Sequence, residues 1–243
     1  MSGEKKGARA YIRGVGSYVP EKKVSNEDIA KLVDTSDEWI FSHTGIKNRH
    51  IAADDQATSD LGVEAARRAL AKADVSPEEV DLIIVSTATP DYRGIPSTAC
   101  IIQNGLGATD AGAFDLMAAC TGFVYGMETA RNFISAGASR NVLLIGAEVY
   151  SRILDWTDRN TCVLFGDGAG AMLLSKARKD EGIMDSFLGS EGSGAGMITI
   201  PGGSRTILKN GEYSQDHYLK MEGQPVYKFA VRVIIEVIQT IIY

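Results

Sequence analysis

Cys120 is the residue whose type and setting best suit chemistry. It stands in Phe114-Asp-Leu-Met-Ala-Ala-Cys-Thr-Gly-Phe123, where an apolar strand pattern runs through two alanines into a helix start. A cysteine at a strand-to-helix turn meets unpaired helix N–H groups and the positive end of the helix dipole, which favour an anion such as a thiolate. Small neighbours leave the sulfur open to a substrate. On the turn alone, the same cysteine also reads as a small buried hydrophobe. The chain's other cysteines, Cys100 and Cys162, form neither a disulfide framework nor a metal-ligand spacing with it. The expected metal content is therefore none. Phe165-Gly-Asp-Gly-Ala-Gly170 lacks the Gly-x-Gly-x-x-Gly spacing opening a helix, so it is not a dinucleotide fingerprint.

The elements that must position Cys120 follow from periodicity. Asp81–Ser86 and Asn141–Gly146 are continuous apolar runs, the pattern of strands covered on both faces. Ala111–Leu116 reads as a third strand, and Ala10–Gly16 as a first one ended by glycines. Between them, Ala57–Ala73 carries Leu61, Ala65, Ala69 and Leu70 on one helical face and Glu64, Arg67, Arg68 and Lys72 on the other. Ser97–Leu106 and Cys120–Ala136 read as further helices. Ser25 and Ser36 are N-caps for two short helices, and Asn48–Ile51 reads as extended. Cys162–Phe165, Ala171–Leu174 and the stretch from 182 to 188 read as later strands. This alternation predicts an α/β sheet with helices on both faces.

Hydrophobic and charged contents of 44% and 23% suit a globular protein with a substantial core. A net charge of -6 gives no electrostatic reason for a nucleic-acid partner. The polar start before Tyr11 predicts no secretory signal, and no run reaches the length of a membrane span, so a cytoplasmic protein without membrane contact is expected. Cysteine usage fits that compartment. Val226–Tyr243 is apolar nearly all round apart from Lys228, Arg232 and Glu236, which share one stripe. A helix that apolar is normally buried, and nothing in the sequence follows to cover it. The expectation is a chain cut short of a complete domain, the alternative being a terminal helix docked in a dimer interface.

Several motifs in order carry a resemblance: Ser36-Asp-Glu-Trp-Ile40, Thr44-Gly-Ile46, Pro96-Ser-Thr-Ala-Cys100, Asp115 to Phe123, Asp158-Arg159, Phe165 to Gly170 and Pro201-Gly-Gly-Ser204. From about Tyr11 to about Val231 the chain resembles β-ketoacyl-acyl-carrier-protein synthase III, the initiating condensing enzyme of type II fatty-acid synthesis in the thiolase superfamily. The resemblance implies a thiolase-like αβαβα layered fold of two duplicated halves, the second incomplete. The first half would span 10–177 and carry the nucleophile, and 178–243 would begin the second.

Carried over by motif, the resemblance makes Cys120 the nucleophile that accepts an acyl group from acyl-CoA, with acetyl-CoA as the expected primer. Malonyl-acyl-carrier protein would be the condensing partner, and the backbone N–H of Cys120 an oxyanion donor. Trp39 and Arg159 would sandwich the CoA adenine, with Thr44 beside them. Ile95, Phe165 and Gly203 would bound the acyl pocket, Ile95 reaching into the partner of a homodimer. Acyl-CoA is then a substrate, and no resident cofactor is implied. Two departures stand out. His43 occupies a position where the family often has an arginine near the CoA phosphates. The family's later histidine and asparagine, which assist decarboxylation, are not matched by His43, His50 or His217. The alternative is a thiolase-fold protein that transfers acyl groups without decarboxylative condensation.

Overall fold

The computed structural model describes residues 9–177, 181–202, 204, 208–209, 212–213 and 216–242. In chain order its first elements are β1 (Ala10–Tyr18), β2 (Lys22–Ser25), α1 (Asn26–Ala30), α2 (Asp37–Thr44), β3 (Asn48–Ile51) and α3 (Thr58–Ala73). Then follow β4 (Leu82–Ser86), α4 (Thr98–Leu106), β5 (Gly112–Leu116), α5 (Gly122–Ser135) and β6 (Asn141–Val149). The last major elements are α6 (Arg159–Cys162), β7 (Asp167–Lys176) and α7 (Gly223–Ile242). They form two compact units. One combines the segment up to Pro20 with Ala52–Glu148 and Gly168–Ser186; the other combines Glu21–Ile51, Val149–Asp167 and the chain from Phe187 onward.

The first unit is built on a sheet of order β1-β7-β6-β4-β5. Strand β4 pairs in parallel with both β5 and β6, so that Ile84 lies opposite Phe114 on one side and Leu144 on the other. Every residue of β4 is buried, as its unbroken apolar run predicts. Alternate residues serve two cores. Ile83, Val85, Leu143 and Ile145 pack with Ala66, Ala69, Leu70 and Ile102 from α3 and α4. Leu82, Ile84, Val142 and Leu144 pack with Ala130 and Ile134 of α5. Each fully buried branched side chain contributes about 1.5–3 kcal/mol. Glycines bring α3 onto β1: a Cβ on Gly16 would lie 2.3 Å from the Ala65 carbonyl oxygen and 2.4 Å from the Ala69 nitrogen. The α/β arrangement with helices on both faces is as the sequence predicts.

In the second unit β2 and β3 pair antiparallel, with Arg49 opposite Val24. Ser25 and Asp28 form a reciprocal capping box on α1. The Ser36 hydroxyl accepts from the Trp39 N–H at 3.1 Å at the start of α2, and Gly45 ends that helix at φ 72°. Ile29, Ile40, Cys162 and Val163 form its small core.

Two expectations change. Cys162–Phe165 is not a strand: Asp158 caps α6, accepting from the Asn160 N–H and Thr161 hydroxyl, so Cys162 ends a short helix. The stretch from 182 to 188 carries no regular structure and touches β1 through the Ile183 N–H, which donates to the Ala10 carbonyl at 2.8 Å. Helix α7 has no buried residue, and Tyr227, Ile234, Ile235, Ile238 and Ile242 are exposed. Its polar stripe is as expected, with Arg232 bonding Glu236 one turn on and also Glu191.

Candidate active site

Strand β5 delivers the chain to Cys120. Its Asp115 carboxylate accepts the Thr98 and Ala99 N–H groups, both at 2.8 Å, and so fixes the start of α4 against the strand end. A carboxylate on helix N–H groups is a charge-assisted bond that also meets the dipole. Beyond β5, Ala119 takes φ 45°, a left-handed conformation that costs a residue bearing a Cβ on the order of 1–2 kcal/mol. The chain then makes a tight turn over Ala119–Thr121 and enters α5 at Gly122. Cys120 thus sits in the turn that leads into the helix rather than within the helix itself. It is exposed, whereas Cys162 is buried. The small-buried-hydrophobe reading therefore fits Cys162, and burial pushes that thiol's pKa up.

Close packing holds the turn. A Cβ on Gly122 would lie 2.1 Å from Ser86 Oγ at the end of β4, and one on Gly126 would lie 2.4 Å from Leu144 Cδ1. Glycine at both points lets helix α5 lie directly on the sheet without displacing the Ser86 hydroxyl or the end of Leu144. Beside Ser86, the half-buried Glu148 carboxylate accepts from the Ala88 N–H at 2.8 Å and from the hydroxyls of Thr87 and Thr89 at 3.3 and 2.5 Å. Burial raises its pKa against the pull of those donors. Glu148 gave no signal in the sequence, because its partners lie about 60 residues away.

In the second unit, Trp39 and Arg159 are brought together. The Arg159 guanidinium lies 4.3 Å from the Trp39 ring centroid, a cation–π contact. His43, one turn along α2, stacks on the same indole at 4.4 Å and is bonded through Nδ1 to the Trp39 carbonyl. The two expected adenine-stacking side chains thus touch each other. Arg159 Nε is buried without a hydrogen-bond partner. The Thr44 hydroxyl donates to the Ile40 carbonyl at 2.6 Å and accepts from the Ile46 N–H at 3.0 Å, which makes it part of the helix end. Phe165 stacks on Tyr150 at 4.9 Å. Ile95, in the first unit, is 89% exposed. Gly203 lies outside the described residues.

An open cleft of about 630 Å³ against α3 and α4, lined by Tyr18, Gln56, Asp60, Arg67 and Asn104 among others, holds none of the expected site residues. Among the described residues no group of His, Cys, Asp and Glu is placed to hold a metal ion, and no helix is long and apolar enough to cross a membrane.

Residues 114–192, the stretch that includes Cys120 and Arg159, match the family model of 3-oxoacyl-[acyl-carrier-protein (ACP)] synthase III. A β-ketoacyl-[acyl-carrier-protein] synthase III of Caldanaerobacter subterraneus subsp. tengcongensis is 53% identical over 226 residues, which cover 92% of this chain and 68% of that protein. The Neisseria gonorrhoeae protein of the same name is 50% identical over 234 residues, or 96% of this chain and 71% of its own length. The crystal structure of 3-oxoacyl-[acyl-carrier-protein] synthase III from Aquifex aeolicus superposes with a TM-score of 0.86 at 42% identity, covering 95% of this chain and 70% of that one. On this identity and this shared thiolase-like fold, the chain belongs to the β-ketoacyl-[acyl-carrier-protein] synthase III family of acyl-transferring condensing enzymes.

Proposed function

We propose that this chain takes an acyl group from acyl-CoA, acetyl-CoA being the expected primer, onto Cys120 and condenses it with malonyl-acyl-carrier protein to start fatty-acid synthesis. The observation that carries the reading is Cys120 itself, an exposed thiol in a strained turn ahead of α5, within the matched stretch 114–192. In the first step Cys120 Sγ attacks the thioester carbonyl carbon, the carbon–sulfur bond to CoA breaks, and CoA leaves with the proton given up by the thiol. The backbone N–H of Cys120 donates to the transient oxyanion. In the second step malonyl-acyl-carrier protein loses carbon dioxide and its carbanion attacks the Cys120 thioester. The β-ketoacyl product stays on the carrier, and the released Cys120 thiolate takes up a proton.

Trp39 and Arg159 hold the adenine, and Thr44 contributes through its place at the end of α2. Ile95, Phe165 and Gly203 bound the acyl pocket. Acyl-CoA is a substrate, and the reaction draws on no resident cofactor. The same reading makes the protein a cytoplasmic homodimer with a first half over 10–177 and a second beginning at 178.

Incubation with acetyl-CoA followed by intact-mass analysis tests the first step. One acetyl adduct is expected, lost in Cys120→Ala and retained in Cys100→Ala and Cys162→Ala. An adduct that survives Cys120→Ala refutes the assignment. Malonyl-acyl-carrier protein is then added; release of the adduct as β-ketoacyl product supports condensation, and an adduct that persists without product favours acyl transfer alone.

A further inference from the structure

Arg49 is 4% exposed, yet among the described residues it has no carboxylate partner. Its guanidinium is matched by neutral oxygens only. Nη1 donates to the carbonyls of Val24 at 3.4 Å and Ser25 at 3.1 Å, and Nη2 to Asn26 Oδ1 at 2.8 Å and the Val163 carbonyl at 3.2 Å. Nε is buried without a partner. A buried cation held this way is expensive, and an apolar side chain of similar volume is often better for stability alone. What the guanidinium adds is a planar fork that reaches several acceptors at fixed angles.

Those acceptors lead to the nucleotide-stacking pair. Val163 directly follows α6, whose first residue is Arg159. Asn26, fully buried, turns its amide outward from Arg49: Nδ2 donates to Asp37 Oδ1 at 2.8 Å and to the Ile46 carbonyl at 2.7 Å. Asp37 opens α2 and Ile46 lies just past its end, so one buried amide grips both ends of the helix that carries Trp39. Arg49 is bonded to this amide and to the end of α6 at once. The room for it is built in, since a Cβ on Gly166 would lie 2.8 Å from Arg49 Cβ.

We infer that Arg49, acting through Asn26, is a positioning residue that sets the spacing of Trp39 and Arg159 and thereby governs use of the nucleotide part of acyl-CoA. The inference rests on the proposed adenine role of that pair. It separates cleanly from the chemistry at Cys120, because a thioester that lacks the nucleotide bypasses the pair.

The test is the second-order rate of Cys120 acetylation, followed by intact mass, with acetyl-CoA and with acetyl-pantetheine. The ratio of the two rates is the readout. Arg49→Lys and Arg49→Met are expected to lower that ratio on the order of tenfold, the loss of a well-aligned stacking and cation–π contact. Generalised structural damage lowers both rates together and leaves the ratio alone. Asn26→Asp covers the case in which the arginine variants fail to fold. It gives Arg49 a carboxylate partner but removes the donors to Asp37 and Ile46, and it is expected to lower the ratio as well. Trp39→Ala runs alongside. If Trp39→Ala lowers the ratio and the Arg49 and Asn26 variants do not, the positioning role is wrong. If Trp39→Ala itself leaves the ratio unchanged, the adenine reading falls and the inference falls with it.

Discussion

Adding a single methyl group at Gly122 probes how the cysteine turn is held. The new Cβ would lie 2.1 Å from Ser86 Oγ, 3.4 Å from Ser86 Cβ and 3.9 Å from Leu116 Cδ2. Only the hydroxyl oxygen is in conflict; the other two atoms are at ordinary contact distance. Relief requires either about 1.3 Å of movement at the start of α5 or a new rotamer for a side chain that is 5% exposed. Overpacking of this kind costs about 1–3 kcal/mol, and the rotamer route puts Gly122→Ala near the low end. Against that, replacing glycine at a helical φ of −55° recovers about 0.4–1 kcal/mol of unfolded-state entropy. The net expectation is a loss of about 1 kcal/mol in the native background. In a Ser86→Ala background the clash is gone, and the same substitution becomes neutral or stabilising. The coupling in this double-mutant cycle is then about 1–2 kcal/mol, read from urea unfolding midpoints. Cys120 acetylation follows the same pattern, because a displacement near 1 Å at the nucleophile costs up to about a hundredfold in rate. Gly122→Ala slows it, and Ser86→Ala restores it. If Gly122→Ala costs the same stability with and without the Ser86 hydroxyl, the contact does not hold the turn and the reasoning fails.

Glu128 of α5 makes a pH prediction. Its carboxylate accepts from Arg131 Nε and Nη2 at 2.6 and 2.5 Å and from Ser186 Oγ at 2.7 Å, and Arg131 above all holds its pKa at about 2. A value depressed in the folded state adds stability above the ordinary carboxylate range, which is lost as pH falls from about 4.5 toward 2. The loss is on the order of 1–3 kcal/mol, and Glu128→Gln flattens it; urea midpoints at pH 3 and 6 that move equally in both proteins contradict this. At the proposed nucleotide site, Trp39→Ala is expected to weaken CoA binding by calorimetry on the order of tenfold. Arg159→Ala weakens it less, because it removes one stacking plane but also removes the side chain that closes the indole face. Equal or greater loss in Arg159→Ala rules out a closed stack.

The local signals in the sequence were sound wherever the deciding contacts were local. Ser25 and Ser36 cap the helices their positions implied, and the continuous apolar runs became the buried strands β4 and β6. Cys162–Phe165 misled because Val, Leu and Phe suggest a strand, while Asp158 upstream supplies a cap that starts a helix. Helix α7 agrees with its sequence: an apolar helix with no element to cover it is found with no buried residue. Arg49 and Glu148 were invisible for another reason. The Arg49 bond to the Val163 carbonyl spans 114 residues, and no short-range pattern marks an arginine in a four-residue strand as buried. The motifs that single out Cys120, Trp39 and Arg159 are contiguous stretches and can be read from sequence alone; the groups that pack around them cannot.

If the pair holds adenine as proposed, its geometry constrains how the nucleotide enters. A planar ring between two flanking planes needs them about 7 Å apart, twice the contact distance of carbon atoms. Arg159 lies 4.3 Å from the Trp39 centroid, so the ligand-free pair leaves no such gap. On the proposed adenine role, the ligand lifts the guanidinium from the indole, exchanging one cation–π contact of about 0.5–2 kcal/mol for stacking on both of its own faces. That exchange is favourable only if Arg159 can move while Trp39 stays. The structure is arranged in that sense. Trp39 lies on a helix gripped at both ends by Asn26 and is backed by His43 at 4.4 Å, whereas Arg159 opens a four-residue helix and its Nε has no hydrogen bond to lose. A fixed indole with a movable guanidinium is a different device from two rigid walls. It makes Trp39 the reference surface and Arg159 the part that closes on the ligand, and it explains why the buried support converges on α2 from both of its ends.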